Sequence, residues 1–298
     1  MPTLASLSGD GVLAMIIKKD MNQKNVFVYW IGPKPTLIQI LHDLMRLHSC
    51  NGKHYKLHVI DRDDFLNDYP DAPKCFDHLK PAHQADVVRV WALLRHGGIW
   101  LDSDTLVMSP LASVFDDVCN DKKGFFVARG NCKIMNSVFG SKSNTRLLRK
   151  WKKHILRTLD EFGPDVKWSI LGQQFLTNAM VKRKEFFSDY LIYDGPSTME
   201  PVCYTKCINV FLSKDLCVDE SIVRPFQPLI ILSNRLYKAL DSHSKSEILQ
   251  ANTPLSRFVK ASLCSLVLKD ENSCIAELKN QSSLNRDQIL HGLSKNKP

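Results

Sequence analysis

Hydrophobic and polar residues alternate along this chain in blocks that read as strand, helix, strand, helix, strand. Val26-Phe27-Val28-Tyr29-Trp30-Ile31 is short, β-branched and aromatic, the composition of a buried strand. Gly32-Pro33-Lys34-Pro35 breaks it. Thr36 then opens a helix that runs to about His48, with Leu37, Ile40, Leu41, Leu44, Met45 and Leu47 turned inward. Asn51-Gly52 turns the chain into a second strand, Tyr55 to Ile60, which ends at Asp61-Arg62-Asp63-Asp64. Pro81 starts the next helix at the position where its missing N–H costs nothing, and Gly97-Gly98 stops it. Ile99 to Leu101 is the third strand. The pattern predicts further strands over 124–129 and 135–140, and helices over 145–159 and 170–182. Such alternation defines an α/β domain with a largely parallel sheet, whose strand C-termini gather on one edge where ligands bind.

Past Tyr190 the periodicity loosens. Strands are predicted over 208–212 and 229–232, and helices over 234–240 and 254–267, which makes the C-terminal part the more helical one. Residues 1–24 read as a leader, 25–268 as one domain and 269–298 as a polar, mobile tail.

Composition narrows the picture only slightly. The formal charge of +9 and a pI near 9.0 favour anionic partners: a sugar nucleotide, an acidic glycan, a membrane surface or nucleic acid. A basic pI also serves solubility alone. With no zinc finger, glycine-rich RNA strand motif or Arg-rich helix, nucleic acid is not an expected partner. The 9 cysteines are odd in number and scattered, with no C-x-x-C pair, which excludes a disulfide framework and a zinc ribbon. They read as reduced, mostly buried thiols of a cytoplasmic protein. No apolar run reaches the roughly 18 residues of a transmembrane helix. His42, His48, His54 and His58 lack metal-ligand spacing and read as surface residues. Trp151 and Trp168 suit either core packing or stacking on an acceptor sugar.

The chemistry concentrates at Gly97-Gly98-Ile99-Trp100-Leu101-Asp102-Ser103-Asp104. Carboxylates two residues apart at the end of a strand point the same way. Such a pair suits Mn²⁺ or Mg²⁺, which take oxygen ligands and complete their shell with phosphate oxygens. A cation there offsets the charge that develops on a departing nucleoside diphosphate. Asp86 and Arg89 lie one turn apart on the preceding helix, among apolar neighbours that make a solvated ion pair unfavourable. Arg89 suits a phosphate or a sugar hydroxyl, and Asp86 accepts from sugar hydroxyls.

Ala85-Asp86-Val87-Val88-Arg89, followed by Leu93-Leu94-Arg95-His96 and the glycine-to-aspartate run above, resembles the sugar-binding region of glycosyltransferase family 32. Related sequences include capsular polysaccharide synthesis transferases and the large clostridial glucosylating toxins. The family pattern is A-D-x-x-R, then L-x-x-x-G-G-[IV]-[YW]-L-D-x-D. A weaker similarity extends from about Val26 to Leu266 and includes Asn136-Ser137-Val138-Phe139-Gly140. The resemblance implies a GT-A type fold with a mixed, mostly parallel sheet. It also implies a UDP- or GDP-sugar donor, with UDP favoured, a Mn²⁺ or Mg²⁺ cofactor, a glycan or glycoprotein acceptor, and retention at the anomeric carbon.

By position, Tyr29, Trp30 and Ile31 would line the nucleotide base. Asp86 and Arg89 would contact the donor sugar and phosphate, and Asn136 would approach the sugar. Trp100 stands where the family often has tyrosine, and Asp102-Ser103 would meet the ribose. Asp104 would bind the metal directly, and Asp102 directly or through water. Gly172-Gln173-Gln174-Phe175-Leu176-Thr177 replaces a Gly-Pro-x-x-Leu-Thr segment, and makes Gln173 or Gln174 a candidate at the reacting sugar. His243, in Asp241-Ser242-His243-Ser244, is the candidate for a late histidine on the metal or diphosphate, but the tryptophan that accompanies it in the family is missing.

Three other readings fit parts of the pattern. Asp102-Ser103-Asp104-Thr105 matches the D-x-D-x-T of haloacid dehalogenase-type phosphohydrolases, with Asp102 as nucleophile. That motif usually opens its domain, whereas a long segment precedes it here. A non-enzymatic binding module and a catalytically silent sugar-nucleotide binder are the others; the intact Asp86, Arg89, Asp102 and Asp104 argue against silence.

Overall fold

The structure is a computed structural model that describes residues 24–50, 55–111, 122–129, 133–203, 205–214 and 228–267. Strand β1 (Lys24–Tyr29) leads into helix α1 (Thr36–Cys50), then β2 (Tyr55–Ile60), α2 (Arg62–Asp68), α3 (Pro81–His96), β3 (Gly98–Leu101) and β4 (Thr105–Val107). There follow β5 (Gly124–Arg129), β6 (Lys133–Ser141), α4 (Arg146–Phe162), α5 (Gln173–Lys182), β7 (Tyr190–Asp194), α6 (Gly195–Thr198) and α7 (Cys207–Phe211). The described chain closes with β8 (Leu229–Ile231), α8 (Asn234–Ala239), α9 (Lys245–Gln250) and α10 (Pro254–Val267).

Six strands form one sheet in the order β2-β1-β3-β6-β5-β7. The pairs β1–β2, β1–β3 and β5–β7 are parallel, and β6 is antiparallel to both its neighbours. Every strand but β6 therefore runs the same way: the mixed, mostly parallel α/β sheet that the sequence pattern and the resemblance implied. Helical crossovers force this arrangement, because parallel strands cannot be joined by tight hairpins.

Period-two burial explains why these strands read as unbroken apolar runs. Phe27, Tyr29, Trp100, Phe126 and Phe139 face the helices α3, α4 and α5 on one side of the sheet. Val26, Val28, Ile99, Leu101, Phe125 and Val127 form the core on the other side. A third cluster joins α1 to α7, α8, α9 and α10. Gly97-Gly98 is needed where α3 turns into β3. Gly97 has φ +67° and caps the helix, and a Cβ on Gly98 would lie 2.2 Å from the Asn25 carbonyl oxygen.

Several expectations are corrected. Residues 208–212 are not a strand: 208–211 belong to α7 and Leu212 caps it, and Cys207 and Phe211, one turn apart, both enter the third cluster; a short apolar run does not reveal its own period. The helix expected from Ile170 begins at Gln173, after Gly172 at its N-cap. Helix α2, opened by an Asp61/Asp64 capping box, was not anticipated, nor were β4, β7 and α9. His42 and His48 are buried, not surface residues, because α1 is covered on more than one side. Among the described cysteines Cys207 is buried and Cys75 half-buried, whereas Cys203 and Cys264 are exposed; none of these four is in a disulfide. Trp151 is core and Trp168 is exposed. No helix among the described residues is long and apolar enough to cross a membrane. The leader up to Gln23, His54 and the tail lie outside the described residues.

Candidate active site

The C-terminal ends of β1, β3 and β5 and the start of β6 open onto a cavity of about 590 Å³. One parallel direction in the sheet produces this convergence, since loops leaving parallel strands share an edge. Tyr29, Trp30 and Ile31 enter from β1, Trp100 to Asp104 from β3, and Asn136 from β6. Asp86 and Arg89 come from α3, and Gln173 from the first turn of α5. The structure thus brings together eleven of the thirteen residues the sequence singled out. Of the two glutamines offered, Gln173 lines the cavity and Gln174 does not. His243 is the other exception. It does not line the cavity but sits exposed in the turn before α9, which Ser244 caps.

Arg89 organises the floor. Its side chain is 4% exposed, and its Nη2 lies 3.3 Å from Asp86 Oδ1 and 3.1 Å from Asp102 Oδ1. Its Nε donates to the Ala85 carbonyl at 3.1 Å, its Nη1 donates to the Asn136 carbonyl, and its guanidinium stacks 5.0 Å from the Trp100 ring. The buried Asp86 and the half-buried Asp102 are tolerated side by side because one delocalised cation with several fixed donors sits between them. The Asn136 amide donates to Asp86 Oδ1 at 2.6 Å, and Trp100 Nε1 donates to Asp102 Oδ1 at 2.8 Å. The indole at position 100 therefore supplies a hydrogen bond that fixes Asp102. Ser103 Oγ donates to the Tyr29 carbonyl at 2.9 Å and ties the Asp-x-Asp turn back to β1.

Burial pushes all three carboxylates upward. Asp86 rises to about 7, with Asp102 adding to the effect of burial and Arg89 opposing it. Asp104 also rises to about 7, from burial first and then from the negative charge of Asp102. Asp102 is raised by burial against the pull of Arg89. A carboxylate pair held in this way gains from any cation placed between its members and the cavity.

Among the described residues no group of three or more His, Cys, Asp or Glu is placed to hold a metal ion. That donor set still fits Mn²⁺ or Mg²⁺. Such ions commonly take one or two protein carboxylates and fill the shell with phosphate oxygens and water. Asp104 and the Oδ2 of Asp102, which the Arg89 and Trp100 bonds leave clear, are the atoms at hand.

Several cavity residues went unread in the sequence. Ser137 contributes a buried hydroxyl with no hydrogen-bond partner. Arg129 ends β5 and forms an ion pair with the buried Glu200. Its place at the C-terminus of a predicted strand was the one usable signal. Ser233, Asn234 and Tyr237 arrive through the β4–β8 pairing and the Leu232 N–H bond to the Asp104 carbonyl at 3.1 Å. No local motif announces them. Tyr237 lies edge-on to Trp30, 5.8 Å between ring centres at 80°, and forms an aromatic corner. Gly172 packs against the floor: a Cβ there would lie 2.1 Å from Asn136 Nδ2 and 2.9 Å from Asp86 Oδ1.

With this geometry in view, the chain belongs to the family described as capsular polysaccharide synthesis protein, which its residues 14–192 match. The Ala85-to-Asp104 motif already pointed to such relatives. No curated protein matches the chain in sequence. Similar solved structures include a glycosyltransferase involved in glycosylation of the major capsid of PBCV-1, at 12% identity and TM-score 0.42, over 70% of this chain and 93% of that one. The glycosyltransferase GlyE of Streptococcus pneumoniae TIGR4 is similar at 12% identity and TM-score 0.40, over 88% and 64%. The galactosyltransferase LgtC, in complex with donor and acceptor sugar analogues, is similar at 11% identity and TM-score 0.40, over 80% and 95%.

Proposed function

We propose that this protein is a metal-dependent glycosyltransferase that moves a hexose from a nucleoside diphosphate sugar, UDP-linked by preference and GDP-linked as the alternative, to a glycan or protein acceptor. The observation that carries the reading is the Asp86–Arg89–Asp102 cluster beside Asp104 on the floor of one cavity.

Trp30 and Tyr237 offer the flat apolar faces that a nucleobase needs. Asp86 and Asn136, already bonded to each other, present acceptor and donor groups to sugar hydroxyls. Asp104 and Asp102 would hold Mn²⁺ or Mg²⁺, which supplies positive charge to the leaving diphosphate. Arg89 keeps Asp102 oriented and charged through that change. Asp86, Asp102 and Glu200 are each engaged by an arginine, so none is offered as a free nucleophile. This argues against a covalent glycosyl-enzyme; retention, by displacement on one face of the sugar, is the outcome the family resemblance implies.

The test is hydrolysis of a panel of UDP- and GDP-sugars with and without Mn²⁺. Release of free hexose from at least one donor, dependent on Mn²⁺ and lost in Asp104→Asn, is the expected result. Phosphate release from simple phosphoesters, with every nucleotide sugar left intact, would overturn it.

A further inference from the structure

The transferase reading leaves the acceptor open between glycan and protein, and Trp168 bears on that choice. This inference rests on that reading. Trp168 lies on the loop between α4 and α5, lines the cavity and is 67% exposed. The indole is among the most costly side chains to leave in water, and Trp151 on the neighbouring helix is wholly buried. The Trp168 ring is backed by the buried His83, with 6.0 Å between ring centres at 48°. Pro81 and Ala82, small and apolar at the start of α3, line the same cavity. Four positions beyond Trp168, Gly172 packs against Asn136 and Asp86, the groups proposed to hold the donor sugar. The loop that carries the exposed indole is therefore anchored at the reaction centre.

We propose that Trp168, with Pro81 and Ala82, forms an acceptor subsite for a pyranose ring, whose C–H face packs on the indole, and that the acceptor is a glycan. In the transfer, the acceptor hydroxyl oxygen bonds to the anomeric carbon as the bond from that carbon to the diphosphate oxygen breaks. The electron pair leaves with the diphosphate, and the hydroxyl proton passes to it.

Two measurements test the subsite. Saturation-transfer NMR of the protein with Mn²⁺ and UDP, against methyl glucoside, methyl galactoside and methyl mannoside, reads binding without turnover. Donor hydrolysis and transfer to the corresponding p-nitrophenyl glycosides read function. At least one glycoside is expected to bind. Trp168→Ala is expected to leave donor hydrolysis and donor KM within about twofold and to raise acceptor KM about tenfold or more, with Trp168→Phe restoring most of it. Absence of binding by every glycoside, an unchanged acceptor KM in Trp168→Ala, or transfer to peptides alone would overturn the subsite. A parallel fall in donor hydrolysis would overturn it too, and would make Trp168 part of the donor wall. If the wild-type protein hydrolyses no nucleotide sugar, the transferase reading itself fails, and the subsite with it.

Discussion

The two sides of the cavity are built differently. The sheet side is saturated with internal bonds: Arg89 alone ties together Asp86, Asp102, Ala85, Asn136 and Trp100. The opposite side is made of loop and short-helix residues, with Trp168 largely exposed and Tyr237 half-buried. Prefixed charges and dipoles are what a transition state needs, because they cost no reorganisation when charge develops. Exposed aromatic and small polar side chains are what selection among partners needs. The contrast assigns chemistry to the sheet side and choice of partner to the loops.

Perturbing the sheet side should have the largest effects. Asp104→Asn should reduce donor hydrolysis to background while thermal melting stays near wild type; residual activity at the wild-type rate would remove Asp104 from the chemistry. Arg89→Ala should cost about 3–5 kcal/mol of stability as well as turnover, because it leaves the buried Asp86 without its cation. Denaturant melts check this, and an unchanged midpoint would show that the cluster does not depend on its cation. Gly172→Ala should lower turnover about a hundredfold, since the added methyl displaces the Asn136 amide from Asp86. Steady-state kinetics beside a melting curve separates that from unfolding.

An effect on stability alone, with none expected on turnover near neutral pH, lies away from the cavity and serves as a control on the comparison. His48 Nε2 donates to Ser262 Oγ at 2.9 Å, since that hydroxyl spends its own proton on the Val107 carbonyl at 2.6 Å. Protonation would place a new donor at Nδ1, which is buried without a partner. Burial accordingly pulls His48 down to about 4, and His42 to about 4 for the same primary reason. Unfolded histidine titrates near 6.5, so the unfolded chain binds more protons between that pH and about 4. Stability should be full above pH ~6.5 and fall by roughly 1.4 kcal/mol per pH unit per histidine below it. Stability measured against pH checks this; His48→Gln should flatten the slope, and an unchanged slope would place the titration elsewhere.

The sheet side was also the side legible in the sequence. Asp86, Arg89, Asp102 and Asp104 lie within one helix, one turn and one short strand, and local spacing fixes their relation. Strands β1, β3, β5 and most of β6 announced themselves because both faces are buried. Tyr237, Ser233 and Glu200 were not legible: their place depends on β4 pairing with β8 and on Met199 accepting from the Ile231 N–H at 2.8 Å, contacts between distant segments. Strand β4 itself is only Thr105–Val107, too short for a periodicity to show. The exposure of Trp168 and burial of Trp151 could not be told apart by residue type, because either tryptophan suits core or ligand equally.

Calorimetric titration of UDP into the protein, with Mn²⁺ and then with EDTA, tests the central claim most directly. Binding at least about tenfold tighter with Mn²⁺, and a loss of that increment in Asp104→Asn, is the predicted result. Equal affinity with and without the ion, in wild type and variant alike, would contradict the claim that Asp102 and Asp104 gather a cation for the diphosphate.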